Sequence, residues 1–221
     1  MQLLLYQLAD GAFPAGSFAH SLGLEALRAI GLLGGERELA LRLGELAWHT
    51  AYTTLPFLGD AHGGAGRGTD GSPGAGRDAP AAADRATDRF LASHVANRAS
   101  RAQGRAFLIA AEAMFGDRLA LPFGHLPAAL GAVLAGANVS LDAARELAMF
   151  GALRSAMSAA VRLGVVGPLR AQRLLLEVRP TARRALGETR ELTGTHARTI
   201  SPLVDLAQAA HDRLYARLFQ S

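Results

Sequence analysis

Residues 140–163 read SLDAARELAMFGALRSAMSAAVRL. The stretch holds no Pro, and Val161 is its sole β-branched residue. Ser140 is placed as an N-cap, where its hydroxyl meets an orphan backbone N–H of the first turn. Ala144, Ala148, Gly151, Ser155 and Ala159 recur at three- and four-residue spacing and so share one face. Small side chains there let a neighbouring helix come close. The pattern predicts a central helix of a bundle, with a homodimer seam as the alternative that periodicity leaves open.

The same chemistry extends outward. The 221 residues include 46 Ala and 36 Leu but only 8 Val and 3 Ile. Ala and Leu favour helix, whereas β-branched residues favour strands. We therefore expect an all-α, compact single-domain bundle spanning 1–221. A short apolar turn or helix is expected at Leu3–Ala9, and helices over Ala19–Ile30, Glu36–Leu55, Asp84–Phe115, Pro122–Ala137, Ser140–Leu163, Leu169–Val178 (stopping ahead of Pro180) and Thr181–Leu192. A last helix runs from Ser201-Pro202 through Ala216, with Pro at its first position. Residues 59–83 hold eight Gly, two Pro and no large apolar side chain, so they are expected to be a flexible Gly/Ala-rich loop.

What is missing excludes much chemistry. All 23 basic residues are Arg, because the chain has no Lys, and it has no Cys. A phosphate-loop lysine, a Schiff base, a thiol nucleophile and a thiolate metal site are all ruled out. Charge is uneven: −3 over 1–60, +2 over 61–139 and +5 over 140–221. No Arg run is long enough to be a nucleic-acid arm. No Arg precedes the apolar stretch at 3–8, and no apolar run reaches the ~18 residues of a membrane span, so a cytoplasmic protein is expected.

The candidate active sites are weak. Ala19-His20-Ser21-Leu22-Gly23 nearly matches a nucleophile elbow, which would make Ser21 the nucleophile of a serine hydrolase. That fold needs Val/Ile-rich parallel strands, which the composition hardly supplies. The seven His show no i, i+4 pair, so no metal site is nominated. Carboxylate pairs such as Asp84/Asp88 are read as helix-start residues. An interaction protein without catalytic residues is the natural reading.

Four segments carry a resemblance. Residues 8–25, LADGAFPAGSFAHSLGLE, resemble the N-terminal signature of the UreF family of urease accessory proteins. Asn97-Arg98-Ala99-Ser100 with Gly104-Arg105, Ser158-Ala159-Ala160-Val161-Arg162-Leu163 with Gly167 and Gln172, and the C-terminal HDRLYARLFQS at 211–221 resemble later motifs of that family in the same order. Gly11 and Ser17 replace the usual Ser and second Gly of the first motif, and Pro168 stands where Gln is common.

The resemblance implies a dimeric all-α protein that is not itself an enzyme. Such a protein joins a UreD/UreH-type accessory protein and recruits the GTPase UreG. That chaperone complex delivers nickel to apo-urease, with no cofactor assigned to this chain. A direct GTPase activator of UreG is the alternative role. The resemblance also nominates partner-binding residues. Pro14 and Gly16 would shape the N-terminal loop, Phe18 would anchor it, and His20, Ser21 and Glu25 would project from the helix after it. Arg162 is the basic residue of the third motif, and His211, Arg217, Leu218, Phe219 and Ser221 belong to the terminal one. We expect this tail to become ordered when the UreD/UreH-type partner binds.

Overall fold

A computed structural model describes residues 2–14, 20–65, 78–210, 212 and 218–219. Among them there is no strand. The helices are α1 (Gln2–Ala9), α2 (Leu24–Ala29), α3 (Glu36–Thr53), α4 (Leu55–Ala65), α5 (Ala79–Phe90), α6 (His94–Phe115), α7 (Leu126–Gly136), α8 (Leu141–Arg162), α9 (Pro168–Glu188) and α10 (Pro202–Ala210), with one 3-10 turn at Gly194–His196. The fold is all-α, as the composition implies.

The central helix forms where the sequence places it. Ser140 Oγ accepts the Ala143 N–H at 3.3 Å and α8 runs to Arg162. Its buried side chains include Met149, Leu153, Ala156, Met157 and Ala160. They meet Leu39, Leu43, Leu46, Ala47 and Ala51 of α3 and Leu174 and Val178 of α9 in one continuous core. Each fully buried Leu contributes about 1.5–3 kcal/mol relative to exposure, so these few positions dominate the cohesion of the bundle.

Several expected boundaries move, each for a local reason. The helix expected over 84–115 is two helices, broken at 91–93. Ser93 has extended backbone and its Oγ accepts the Ala96 N–H, which starts α6 afresh. The Asn97 amide donates to the Asp88 carbonyl at 3.3 Å, drawing off acceptors at the end of α5. Conversely, α9 continues through Pro180, where a stop was expected. Pro180 lies on the exposed side, so water can satisfy the carbonyl that loses its donor. The helix expected from Ala19 begins only at Leu24. Leu22 and Gly23 ahead of it have φ of +54° and +85°, a left-handed turn that favours Gly at 23.

The loop expected over 59–83 is also corrected. Residues 59–65 are the second half of α4, and 79–83 open α5. Residues 66–77 lie outside those described. The Gly-rich composition misled because three of those glycines, Gly59, Gly63 and Gly64, sit on a helix that α7 packs against. There α7 comes so close that a Cβ on Gly131 would lie 2.4 Å from the Leu58 carbonyl oxygen.

The small-residue face of α8 is only partly a packing face. Ala144 and Ala159 are buried, but Ala148, Gly151 and Ser155 are half-buried and line a cavity of about 230 Å³. A Cβ on Gly151 would meet nothing within 4 Å. The cavity lies between α3, α6, α7 and α8, with Phe13, His20 and Leu22 at its N-terminal side. No helix among the described residues is long and apolar enough to cross a membrane.

Candidate interaction site

The first and last motifs, at opposite ends of the chain, meet on one surface. Glu25, in the first turn of α2, is 6% exposed. Its Oε1 accepts the Leu218 N–H at 2.5 Å, and its Oε2 accepts the Phe219 N–H at 3.3 Å. One buried carboxylate thus holds two consecutive backbone donors, a charge-assisted arrangement stronger than a neutral pair. Arg162, at the C-terminal end of α8, reaches the same place. Its guanidinium stacks over the Phe219 ring at 4.3 Å and its Nη2 donates to the Leu218 carbonyl at 3.3 Å. Phe219 is 6% exposed, whereas Leu218 remains 62% exposed. The backbone is pinned, one side chain is sunk, and its neighbour is presented to solvent.

A second tie fixes the approach of the tail. Asp212 accepts from Arg98 Nη2 at 2.9 and 3.1 Å and pairs with His94 Nε2 at 3.0 Å. The hydrogen bond from Arg98 holds the Asp212 carboxyl below its usual range. Arg98 belongs to the Asn97–Ser100 motif, so three of the four motif segments contact the C-terminal stretch or its lead-in.

The remaining residues of that motif brace α5, α6 and α7. Ser100 Oγ lies 3.1 Å from His125 Nδ1, and His125 Nε2 lies 3.1 Å from Asp88 Oδ1. Asp88 also accepts from the Asn97 amide at 3.0 Å and from Arg101. Hydrogen bonds from Arg101 and then Asn97 hold the Asp88 carboxyl well below the usual carboxylate range. Burial pushes His125 below its ordinary value, against the opposing pull of Asp88. Asp84, wholly buried, accepts the N–H groups of Phe123, Gly124 and His125 at 2.6, 3.2 and 2.7 Å, fixing the loop into α7. The Gly of the motif is explained as well: a Cβ on Gly104 would lie 2.1 Å from the Gly124 carbonyl oxygen.

The candidate residues divide accordingly. Glu25, Arg162, Leu218 and Phe219 come together. Pro14 is exposed at the end of the N-terminal described segment. His20 and Ser21 are 4% and 0% exposed, so with Glu25 they point inward and do not project from the helix as expected. Ser21 is therefore inaccessible as a nucleophile in a fold with no described strand. Gly16, Phe18, His211, Arg217 and Ser221 lie outside the described residues. The expectation that the tail awaits a partner meets a different picture at Leu218, Phe219 and Asp212, which are already seated on the chain's own helices. The sequence reading took Asp84 and Asp88 only as helix-start residues and gave His125 no role. The two acids lie mid-helix in α5, not at a helix start, and their i, i+4 spacing ahead of the Pro122-Phe123-Gly124-His125 loop was the available signal.

Among the described residues, no group of three or more His, Asp or Glu could hold a metal ion. The arrangement is that of an all-helical fold in which the two ends of the chain meet on one surface. The UreF family model matches residues 39–179, and the chain belongs to the UreF family. It is similar to a rice (Oryza sativa subsp. indica) protein named Urease accessory protein F, at 29% identity over 97% of this chain and 83% of the rice protein. An Arabidopsis thaliana protein of the same name is 28% identical over 100% of this chain and 93% of its own length. Urease accessory protein UreF of Trichodesmium erythraeum is 28% identical over 99% and 96%.

Proposed function

We propose that the chain acts in urease maturation as a scaffold without chemistry of its own. It joins a UreD/UreH-type accessory protein and the GTPase UreG in the complex that inserts nickel into apo-urease. Family membership supports the role in maturation. One structural observation supports the scaffold reading: Glu25 and Arg162 clamp a backbone that displays Leu218 outward beside the sunken Phe219. A rigid, exposed apolar side chain on a pinned backbone is the kind of anchor that dominates protein interfaces, since its ordering entropy is spent before the partner arrives. Nickel is cargo of the assembly in this reading. The protein works in the cytoplasm and as a homodimer.

The test is co-purification of the tagged full chain with its UreD/UreH-type partner and UreG. Leu218→Asp is expected to abolish capture of a partner while far-UV circular dichroism is unchanged. Normal capture of both partners by that variant overturns the reading. The alternative role, direct activation of the GTPase, separates cleanly. GTP hydrolysis by UreG, measured with and without the chain, should be unaltered for a scaffold and accelerated for an activator.

A further inference from the structure

A basic groove lies along α6, apart from the Glu25–Leu218 contact. His94, Arg98, Ala102, Arg105 and Ile109 follow one another at three- and four-residue spacing and are all exposed. They form one solvent-facing stripe of the helix. The stripe borders a shallow depression of about 590 Å³, walled on the other side by Asp88 and Leu91.

Its positive groups are unequally occupied. Arg101, at the floor, is committed to Asp88 and stacks on the Phe123 ring at 4.6 Å. Arg98 and His94, at one end, hold the carboxylate of Asp212. Arg105, about one and a half to two turns further on, uses its Nε on the Phe123 carbonyl at 3.2 Å, and no described carboxylate pairs with it. Arg98 and Arg105 stand roughly 10 Å apart along the axis, the rise of seven residues. Ile109, 70% exposed, continues the stripe as an apolar end.

We propose that this α6 groove is a docking site for an acidic segment of a partner protein, and that Asp212 occupies its first carboxylate position until the segment arrives. The chain's own side chain shows what the site accepts, namely a carboxylate carried on polypeptide, held by Arg98 through both oxygens. The second carboxylate position, at Arg105, is one that Asp212 cannot reach while it sits on Arg98. A segment with two acids spaced to meet both arginines and an apolar residue for Ile109 therefore binds better than the tail does. The guanidinium fork suits carboxylates in such two-point recognition. The exchange couples the groove to the C-terminal stretch, since displacing Asp212 releases the lead-in to Leu218 and Phe219.

The test uses the full-length chain and fluorescence anisotropy with three labelled probes: a Glu-rich peptide ending in Leu, the same peptide with Gln for Glu, and a single-stranded oligonucleotide. The Glu peptide is expected to bind and the Gln peptide not. Asp212→Asn, which lightens the competitor, should tighten Glu-peptide binding about threefold, the scale of an exposed ion pair. Arg105→Ala, at a site the tail does not use, should weaken it about tenfold in the Asp212→Asn background, as loss of a charge-assisted contact does. Equal binding of Glu and Gln peptides, no response to either substitution, or tighter binding of the oligonucleotide at the same salt overturns the proposal. Arg105 is exposed and Asp212 half-buried, and unchanged circular dichroism separates a lost contact from a lost fold.

Discussion

The Glu25 carboxylate accepts the backbone N–H of Leu218 at 2.5 Å across 193 residues of chain. A long-range contact of this kind closes the whole fold on itself, because α2 and α8 are both parts of the main core. It predicts that Glu25→Gln loosens the C-terminus specifically. The amide keeps the shape but forfeits the charge and turns a donor toward a donor. The expected cost is about 1.5–3 kcal/mol, the range for a hydrogen bond to a charged group. Carboxypeptidase should remove the terminal residues faster from the variant, and the thermal midpoint should fall. Unchanged digestion and midpoint would show that the carboxylate is not what holds the tail.

Glycine substitutions should separate by position. Gly104→Ala forces a methyl against the Gly124 carbonyl, and Gly131→Ala forces one against the Leu58 carbonyl. Neither obstacle is a flexible side-chain tip, so the helices must part. Each change should cost about 1–3 kcal/mol or more. Gly151→Ala, also on a helix, faces open space and should stabilise by up to about 1 kcal/mol. Chemical denaturation of the three variants checks the order.

The helical class was legible because composition and period agree across the whole chain. Even the N-cap of α8 was, since Ser140 stands ahead of an uninterrupted helical run. What periodicity could not show was where one helix ends in the middle of continuing pattern. The break at 91–93 depends on Asn97 and Ser93 side chains competing for backbone groups, a local choice with no apolar signature. Pro180 failed in the other direction, because a proline on a solvent-facing arc costs less than one against a core. At the site, the motifs named Glu25, Arg162, Leu218 and Phe219 without revealing that they touch. They also gave no hint that His20 and Ser21 face inward, since the left-handed turn at 22–23 is what aims them. Asp84 passed for a helix-start acid and His125 for a histidine without a role because their partners are backbone N–H groups and a residue two helices away.

The buried His125 gives stability a pH dependence whose sign follows from burial. Its folded form resists protonation, pushed below the ordinary 6.5 chiefly by loss of solvent. As pH falls the unfolded chain takes up this proton first, so the contribution is complete above about pH 6.5 and is lost below it. Asp88 acts in a separate window. Held below its ordinary 3.8 by Arg101 and Asn97, it supports the fold until pH falls through the carboxylate range. Melting temperatures between pH 7.5 and about pH 5 should therefore decline in the parent chain and decline less steeply in His125→Asn. Parallel slopes would place the sensitive group elsewhere.

The end of α9 is finished by an arginine rather than a glycine. Arg145 of α8 is 2% exposed, and its Nη2 donates to the Thr189 carbonyl at 2.8 Å, to Thr189 Oγ1 at 2.9 Å and to the Leu186 carbonyl at 3.4 Å. Thr189, wholly buried, passes its own proton to the Ala185 carbonyl at 2.7 Å. One cation thus serves carbonyls of the last turn that no intrahelical N–H can reach. Arg145→Met keeps bulk but takes the donor from the Leu186 carbonyl and Thr189 Oγ1 and leaves the Thr189 carbonyl only the Leu192 N–H at 3.2 Å, and should cost about 1–3 kcal/mol. Thr189→Val should cost about 1–2 kcal/mol, since the backbone carbonyl at 189 still receives Arg145. Because the two side chains share one hydrogen bond, the double variant should be less damaged than the sum by about 1 kcal/mol. Strict additivity in urea unfolding would mean that Arg145 holds α9 through its carbonyls alone.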